Sequence, residues 1–409
     1  MNNPDSEYRH NHYVPIWYQR RFMLPGQDRY FRLDLKPEVV NNGKARYTRR
    51  DLHEWSPDRI FSEDDLYTTQ WGRITNTEIE KFFFGKLDSG GPKAVDYFTT
   101  FAHPSANGEA FQNFLTYMSV QKLRTPKGLA YLAGLSRNSR KNMTLIMLQQ
   151  IRNVFCATWT ECVWQIADAS SSPTKFIVSD HPVTIFNRGC PPLSQWCVGH
   201  NDPDIRMSAS QTIFSLSLDK VLIFTNLNWV RDPYQSETKI RPNPEFFRNA
   251  MFNFTAIQTG RMLTEDEVLQ INMIIKRRAY RYIAGADKEW LYPERHVSTD
   301  HWKKLGNGYL LMPEPRLLHM GGQIMIGYTN GKSDAFSEYG HKPWQNGYMD
   351  SQREKRESAS LDRFQAEYAI MKGAQYQAHD FEFGGRSLTQ DTEEGMERHR
   401  ELLKRYQRR

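Results

Sequence analysis

Cysteine is scarce in this chain, with only Cys156, Cys162, Cys190 and Cys197 among 409 residues. None forms a C-x-x-C pair and none has a histidine at metal-ligand spacing. The sequence therefore predicts neither a structural zinc site nor a disulfide framework, and reduced thiols are expected. No apolar run approaches the length of a membrane span, and the opening MNNPDSEYRHN is polar, without the apolar stretch of a signal peptide. A cytoplasmic protein without membrane contact is the expectation. The common catalytic signatures are missing too: no Walker A loop, no G-x-G-x-x-G, no H-E-x-x-H, no zinc-deaminase pattern and no G-x-S-x-G. Their absence removes most of the frequent enzyme classes. Internal repeats and low-complexity tracts are also lacking.

What the chain has in excess is rings and local positive charge. Its 10 Trp, 20 Tyr and 23 Phe must fill a core or stack on ligands. The formal net charge of +7 is concentrated between Arg9 and Arg50, where ten Lys or Arg stand against Asp28, Asp34 and Glu38. A local excess of that kind attracts phosphates, and it also suits a solvated edge strand guarded against aggregation.

Alternation in DRYFRLDL (28–35) and KARYTRR (44–50) about Asn42-Gly43 predicts a β-hairpin. TEIEKFFFGKL has helical spacing with Thr77 as its cap, and residues 109–123 form a second helix that stops at Arg124-Thr125-Pro126. Residues 140–168, apolar nearly all round, predict a long buried central helix. Beyond SSSPT the period falls towards two: KFIVSD, VTIF, QTIFSLS and KVLIFTN read as strands. Residues 244–258 and 265–285 read as helices, the second capped by Thr264 and ending at Gly285. GYLLMP and QIMIGYT predict strands in a segment rich in Gly, Trp and Pro, and two charged helices about 361–371 and 393–405 close the chain. These readings give an α+β fold: a mainly helical domain with a small mixed or antiparallel sheet around SDHPV, then an extension. The boundaries are 1–288 for the domain, 289–350 for a Gly/Trp-rich extension and 351–409 for a charged helical tail that needs a protein partner to be stable.

The candidate chemistry gathers in a few places. Arg9 to Phe22 holds two histidines, three arginines and four rings within fourteen positions. Pro15 holds Val14 extended, so His10 and His12 share a face, while Trp17, Arg20 and Arg21 fall three or four apart in the turn of helix that follows. A histidine beside arginines binds protons less well, which suits His12 to act as a base near neutral pH. The other reading is a histidine bonded to backbone where the chain enters the core. Asp180 ends an apolar strand, where a scaffold presents a carboxylate to a metal or a histidine; an aspartate before His181-Pro182 is equally an Asx turn. Glu78 and Glu80 open a helix, whose dipole they also stabilise. Gln121 and Arg124 lie three apart on one helical face, and Asn272 is a polar amide in an apolar stripe that must find partners.

Taken together, HYVPIWYQRRF, FLTYMSVQKLRTP, FIVSDHPVTIF, FSLSLDKVLIF and INMIIKRRAYRYI occur in an order that resembles the HYVP-motif family, a bacterial domain of unknown function, over residues 10–285. Two departures stand out: Gln19 replaces the usual leucine, and SLSL lacks both prolines of P-L-S-P. The resemblance brings no reaction with it. It implies that His12, Tyr18, Arg20 or Arg21, Gln121, Arg124, Asp180, Ser215, Ser217 and Asn272 belong to recurring motifs, which suits polar residues converging on one pocket.

The expectation from sequence is a metal-dependent nuclease of a bacterial defence or toxin type. Residues 9–50 would bind the nucleic-acid backbone, with His10, Tyr13, Tyr18, Arg20, Arg21, Ser215, Ser217 and Asn272 against the substrate. Asp180 and Glu80 would hold Mg²⁺ or Mn²⁺, His12 would act as base, and Arg124 with Gln121 would stabilise developing charge. The alternatives are a non-catalytic module binding nucleic acid or a nucleotide, and an enzyme acting on a free nucleotide.

Overall fold

Strand-forming residues in the middle of the chain build its largest sheet. The computed structural model describes residues 10–41, 43, 45–71, 74–76, 84–101, 108–136, 141–198, 201–240, 257–315, 318, 323–327, 330–337, 341–372, 382–383 and 386–387. The amino-terminal third comprises β1 (His10–His12), α1 (Ile16–Gln19), β2 (Tyr30–Asp34), β3 (Val39–Asn41), β4 (Arg46–Thr48), β5 (Leu52–Trp55), β6 (Ser62–Asp64), β7 (Thr69–Trp71) and β8 (Ile74–Asn76). Four helices follow: α2 (Gly85–Thr99), α3 (Gly108–Arg124), α4 (Pro126–Ser136) and α5 (Lys141–Thr160). Then come β9 (Cys162–Asp168), β10 (Val178–Ser179), β11 (Thr184–Phe186), β12 (Cys197–Val198), β13 (Asp202–Pro203), β14 (Gln211–Ser215), β15 (Lys220–Asn226) and α6 (Leu227–Arg231). The last part holds β16 (Gln258–Met262), α7 (Glu265–Arg278), β17 (Tyr282–Gly285), β18 (Gln323–Gly327), β19 (Ser333–Ser337) and α8 (Ser351–Lys372).

Two sheets organise the body. The larger runs β11–β14–β15–β9–β16, antiparallel except that β16 lies parallel to β9. VWQIA of β9 and VLIFTN of β15 are buried along their length, as central strands covered on both faces must be. Rings from α2 and α3 cover this sheet: Phe98 and Phe114 meet Trp164, and Phe114 also meets Phe214. The smaller sheet runs β10–β17–β2–β5, antiparallel throughout. β10 and β11 are edge strands of different sheets, so Asp180-His181-Pro182 is the crossing point between them.

The architecture is α+β, with far more sheet than the small one expected around SDHPV. Several elements fall elsewhere than their local pattern indicates. Residues 162–168 leave the long apolar helix at Thr160 and become a central strand. β2 pairs with β5 and β17, while the hairpin of this region joins β3 to β4. α7 keeps its Thr264 cap, with the reciprocal bond from Glu267, but ends at Arg278, and Tyr282–Gly285 is strand. Gly85–Thr99 is helical despite Gly90, Gly91 and Pro92. GYLLMP is not a strand. Thr77, most of 244–258 and the helix at 393–405 lie outside the described residues.

Trp302, Leu305, Leu310 and Leu311 sit in the same apolar core as the sheets. Leu361, Phe364 and Tyr368 of α8 pack with Trp229 and Val230 of α6 and with Met312. The apolar face of α8, expected to await a partner, is covered by this chain itself.

Candidate functional site

The opening segment is irregular, and an irregular buried backbone needs side chains to satisfy its polar groups. Gln19 donates to the carbonyls of Val14 and Ile60, at 2.8 and 3.1 Å, and accepts from the Tyr30 hydroxyl. Gln121 donates to the Tyr13 carbonyl at 2.8 Å and accepts from Arg124. Tyr18 stacks on Phe214 and donates to the Ser215 carbonyl at 2.6 Å. Arg21 reaches the Leu216 carbonyl, Asp96 and Thr99. Arg20 is exposed. Tyr13 is buried.

His12, expected as the base, and Asp180, expected as a metal ligand, have separate partners. The His12 ring bonds the Asp58 carbonyl at 2.9 Å and meets His10 edge-on, while His10 bonds Asp64. Burial lowers the His12 pKa. Asp180 is buried and accepts from the backbone N–H groups of Tyr280, Arg281 and Tyr282, at 2.9, 2.6 and 2.8 Å. Its oxygens tie the end of α7 to the crossing between the sheets. Arg124 is likewise buried, in a bidentate pair with Asp88 at 2.9 and 3.0 Å. Burial works against its charge, but Asp88 outweighs it and raises its pKa. Asn272 bonds the backbone of Lys175 and Ile177, and Ser217 accepts from the N–H of Asp219. Glu80 lies outside the described residues. Among the described residues, no three His, Cys, Asp or Glu side chains come together as metal ligands.

Beside Asp180 lies a closed ion cluster that sequence reading missed. Lys122 of α3 donates to Asp202 at 2.7 Å, to His181 Nε2 at 2.7 Å and to the Val183 carbonyl at 3.0 Å. Lys127 of α4 donates to the other Asp202 oxygen and to the Arg278 carbonyl, both at 2.6 Å. An ammonium only donates, so His181 Nε2 accepts and Nδ1 carries the proton, which it gives to Thr125 Oγ1 at 2.7 Å. Burial, reinforced by Lys122, pushes the His181 pKa down to about 3. Burial also pushes Lys122 down to about 8, against the pull of Asp202. Burial opposes the Asp202 charge, but Lys122 and Lys127 hold its pKa well below the usual range. Every member is buried. Two lysines flanking Arg124-Thr125-Pro126 were the only signal in the sequence.

The open chemistry lies on one face of the smaller sheet. Arg32 sits mid-strand in β2, with Trp55 diagonal to it on β5 and Tyr282 diagonal on β17. Its guanidinium carbon lies 4.0 Å from the Trp55 ring centre and 4.6 Å from that of Tyr282. Rings and guanidinium attract through the ring quadrupole. Burial lowers the Arg32 pKa. No carboxylate pairs with Arg32 among the described residues, and its buried Nε has no hydrogen-bond partner. Along the same edge, Arg281 forks onto Asp34 and Lys36 lies over Tyr280. The adjoining β3–β4 hairpin exposes Arg46, Tyr47, Arg49 and Arg50, of which only Arg49 has an acidic partner, Glu38, among the described residues.

A family model described as "Protein of unknown function (DUF4238)" matches residues 10–289. No curated protein and no solved structure matches the chain. No helix among the described residues is long and apolar enough to cross a membrane.

Proposed function

We propose that this chain, which belongs to the DUF4238 family of proteins of unknown function, binds the phosphodiester backbone of nucleic acid across β2, β5, β17 and the β3–β4 hairpin. The observation that carries this reading is Arg32: a half-buried cation stacked on two rings, with no ion-pair partner among the described residues. A phosphate supplies the counter-charge and acceptors for its terminal nitrogens. Lys36, Arg46 and Arg50 extend the positive track, and Tyr47 offers a ring on which a base can stack. Within the family, the recurring HYVP tetrapeptide, His12–Pro15 here, is read as a clasp: its carbonyls are the groups that Gln19 and Gln121 hold. A cytoplasmic location is part of this reading.

Hydrolysis is not part of the proposal. Asp180, the carboxylate on which metal-assisted cleavage rested, has its oxygens taken up by three backbone donors, and a hard cation would need to displace them. The test is fluorescence anisotropy with labelled RNA and DNA oligonucleotides over a salt series, each with Mg²⁺, Mn²⁺ or EDTA and a gel to read cleavage. Arg32→Ala weakens binding about tenfold, as expected for losing one charge-assisted bond. An Arg46→Ala/Arg50→Ala double variant lowers the salt slope by about 1.4–1.8. Wild-type affinity and slope in both variants would refute the interface. Metal-dependent cleavage lost in His12→Ala would restore the nuclease reading.

A further inference from the structure

Cys190 and Cys197 lie at the two ends of an eight-residue loop, CPPLSQWC, and their sulfurs are 3.4 Å apart. Cys190 is fully buried; Cys197 is partly open to solvent, next to the exposed Trp196. Arg278, almost wholly buried at the end of α7, fastens this loop. It donates to the carbonyls of Cys190 and Asn201, lies over the Trp302 ring, and points Nη1 at Cys197 Sγ from 3.4 Å. The charge around it is unbalanced. Lys122, Lys127 and Arg278 are three buried cations, and among the described residues Asp180 and Asp202 are the two buried carboxylates beside them. A buried cation without a counter-charge is costly. A thiolate at Cys197 supplies the missing negative charge in contact with Arg278.

We propose that Cys190 and Cys197 are a reversible dithiol–disulfide pair oxidised by hydroperoxides, with Cys197 as the attacking thiolate and Cys190 as the resolving thiol. The Cys197 sulfur attacks the peroxide O–O bond. An S–O bond forms, the O–O bond breaks, and the leaving oxygen takes a proton and departs as water or an alcohol, leaving Cys197 as a sulfenic acid. The Cys190 sulfur then attacks that sulfur. The S–S bond forms and the S–O bond breaks, and hydroxide leaves with the Cys190 proton as water. Two thiols and one peroxide give one disulfide, one water and one water or alcohol.

Further geometry supports this order. The thiolate end is the accessible one: Cys197 accepts from the Cys190 thiol and from Arg278, and these contacts, in that order and against burial, pull its pKa down to about 5. The same contact raises the pKa of Cys190, which keeps that sulfur inert until Cys197 is oxidised and the contact is lost. When Cys197 holds its proton, it can donate to the Pro191 carbonyl at 3.3 Å. Burial raises the pKa of Cys156, and Cys162 is buried with its thiol on the Thr158 carbonyl, so these two serve as internal references.

The experiment uses the full chain. Protein is treated with hydrogen peroxide, denatured with excess iodoacetamide and cut with trypsin; Gly189–Arg206 is one peptide carrying both cysteines. The expected product is that peptide lighter by two hydrogens and unalkylated, regaining two alkyl groups if dithiothreitol is added first, with Cys156 and Cys162 alkylated throughout. Dimedone traps Cys197 in Cys190→Ser and leaves Cys190 unlabelled in Cys197→Ser. On native protein at neutral pH, Cys197 alkylates more than about tenfold faster than Cys156. A doubly alkylated peptide after peroxide treatment overturns the pair, and dimedone on Cys190 instead of Cys197 overturns the order.

Discussion

Acid should unfold this protein through His181 well before most carboxylates titrate. The ring is buried, donates to Thr125 and accepts from the Lys122 ammonium, so a second proton would place two cations 2.7 Å apart, which Asp202 at 3.2 Å from Nε2 offsets only in part. Its pKa falls from 6.5 to about 3 on folding, by burial first and then by the charge of Lys122. The unfolded chain therefore binds this proton more readily than the folded one. Stability from this group is complete above pH 6.5 and is lost as pH falls towards 3. Linkage gives a loss of about 2 kcal/mol between pH 7 and pH 5 from His181 alone. The assay is urea unfolding from pH 7.5 to pH 4.5 on wild type and His181→Gln, whose amide can replace both ring contacts without titrating. The wild type should lose stability with the stated slope relative to the variant. Parallel pH profiles for the two proteins would refute the argument, as would a native His181 resonance that titrates near pH 6.

Other substitutions test the remaining clamps. Asp180→Ala leaves three backbone donors without an acceptor and should cost at least ~3 kcal/mol in urea unfolding; an unchanged midpoint would remove Asp180 from its structural place. Tyr18→Phe strands the Ser215 carbonyl and should cost about 1–3 kcal/mol by the same measurement. Arg124→Met leaves Asp88 facing an apolar side chain and should cost about 3–5 kcal/mol, with Asp88→Asn nearly as damaging. Arg124→Lys should recover only part of that loss, because one ammonium does not match a two-pronged guanidinium. Thermal melts that rank Lys with wild type would refute the bidentate role.

The sequence by itself determined what depends on near neighbours. Alternation in QTIFSLS and KVLIFTN specified a pair of strands, Pro126 stopped α3 and Thr264 capped α7. The basic excess of residues 9–50 was countable before any coordinates. Tertiary structure decided which partner each segment meets. Residues 162–168 carry as much apolar content as the helix before them, and only a place between β15 and β16 makes them strand. Polar motif residues such as Gln121, Arg124 and Asp180 read as a pocket because their chemistry is visible in the sequence. That Gln121 and Asp180 are taken up by backbone groups as much as 108 residues away, and Arg124 by the Asp88 carboxylate, is not visible there. Burial likewise keeps His181 neutral, and pairing with Lys122 and Lys127 keeps Asp202 ionised against burial; both are properties of the assembled core. Periodicity and capping act over a few residues, whereas desolvation and pairing belong to the whole chain.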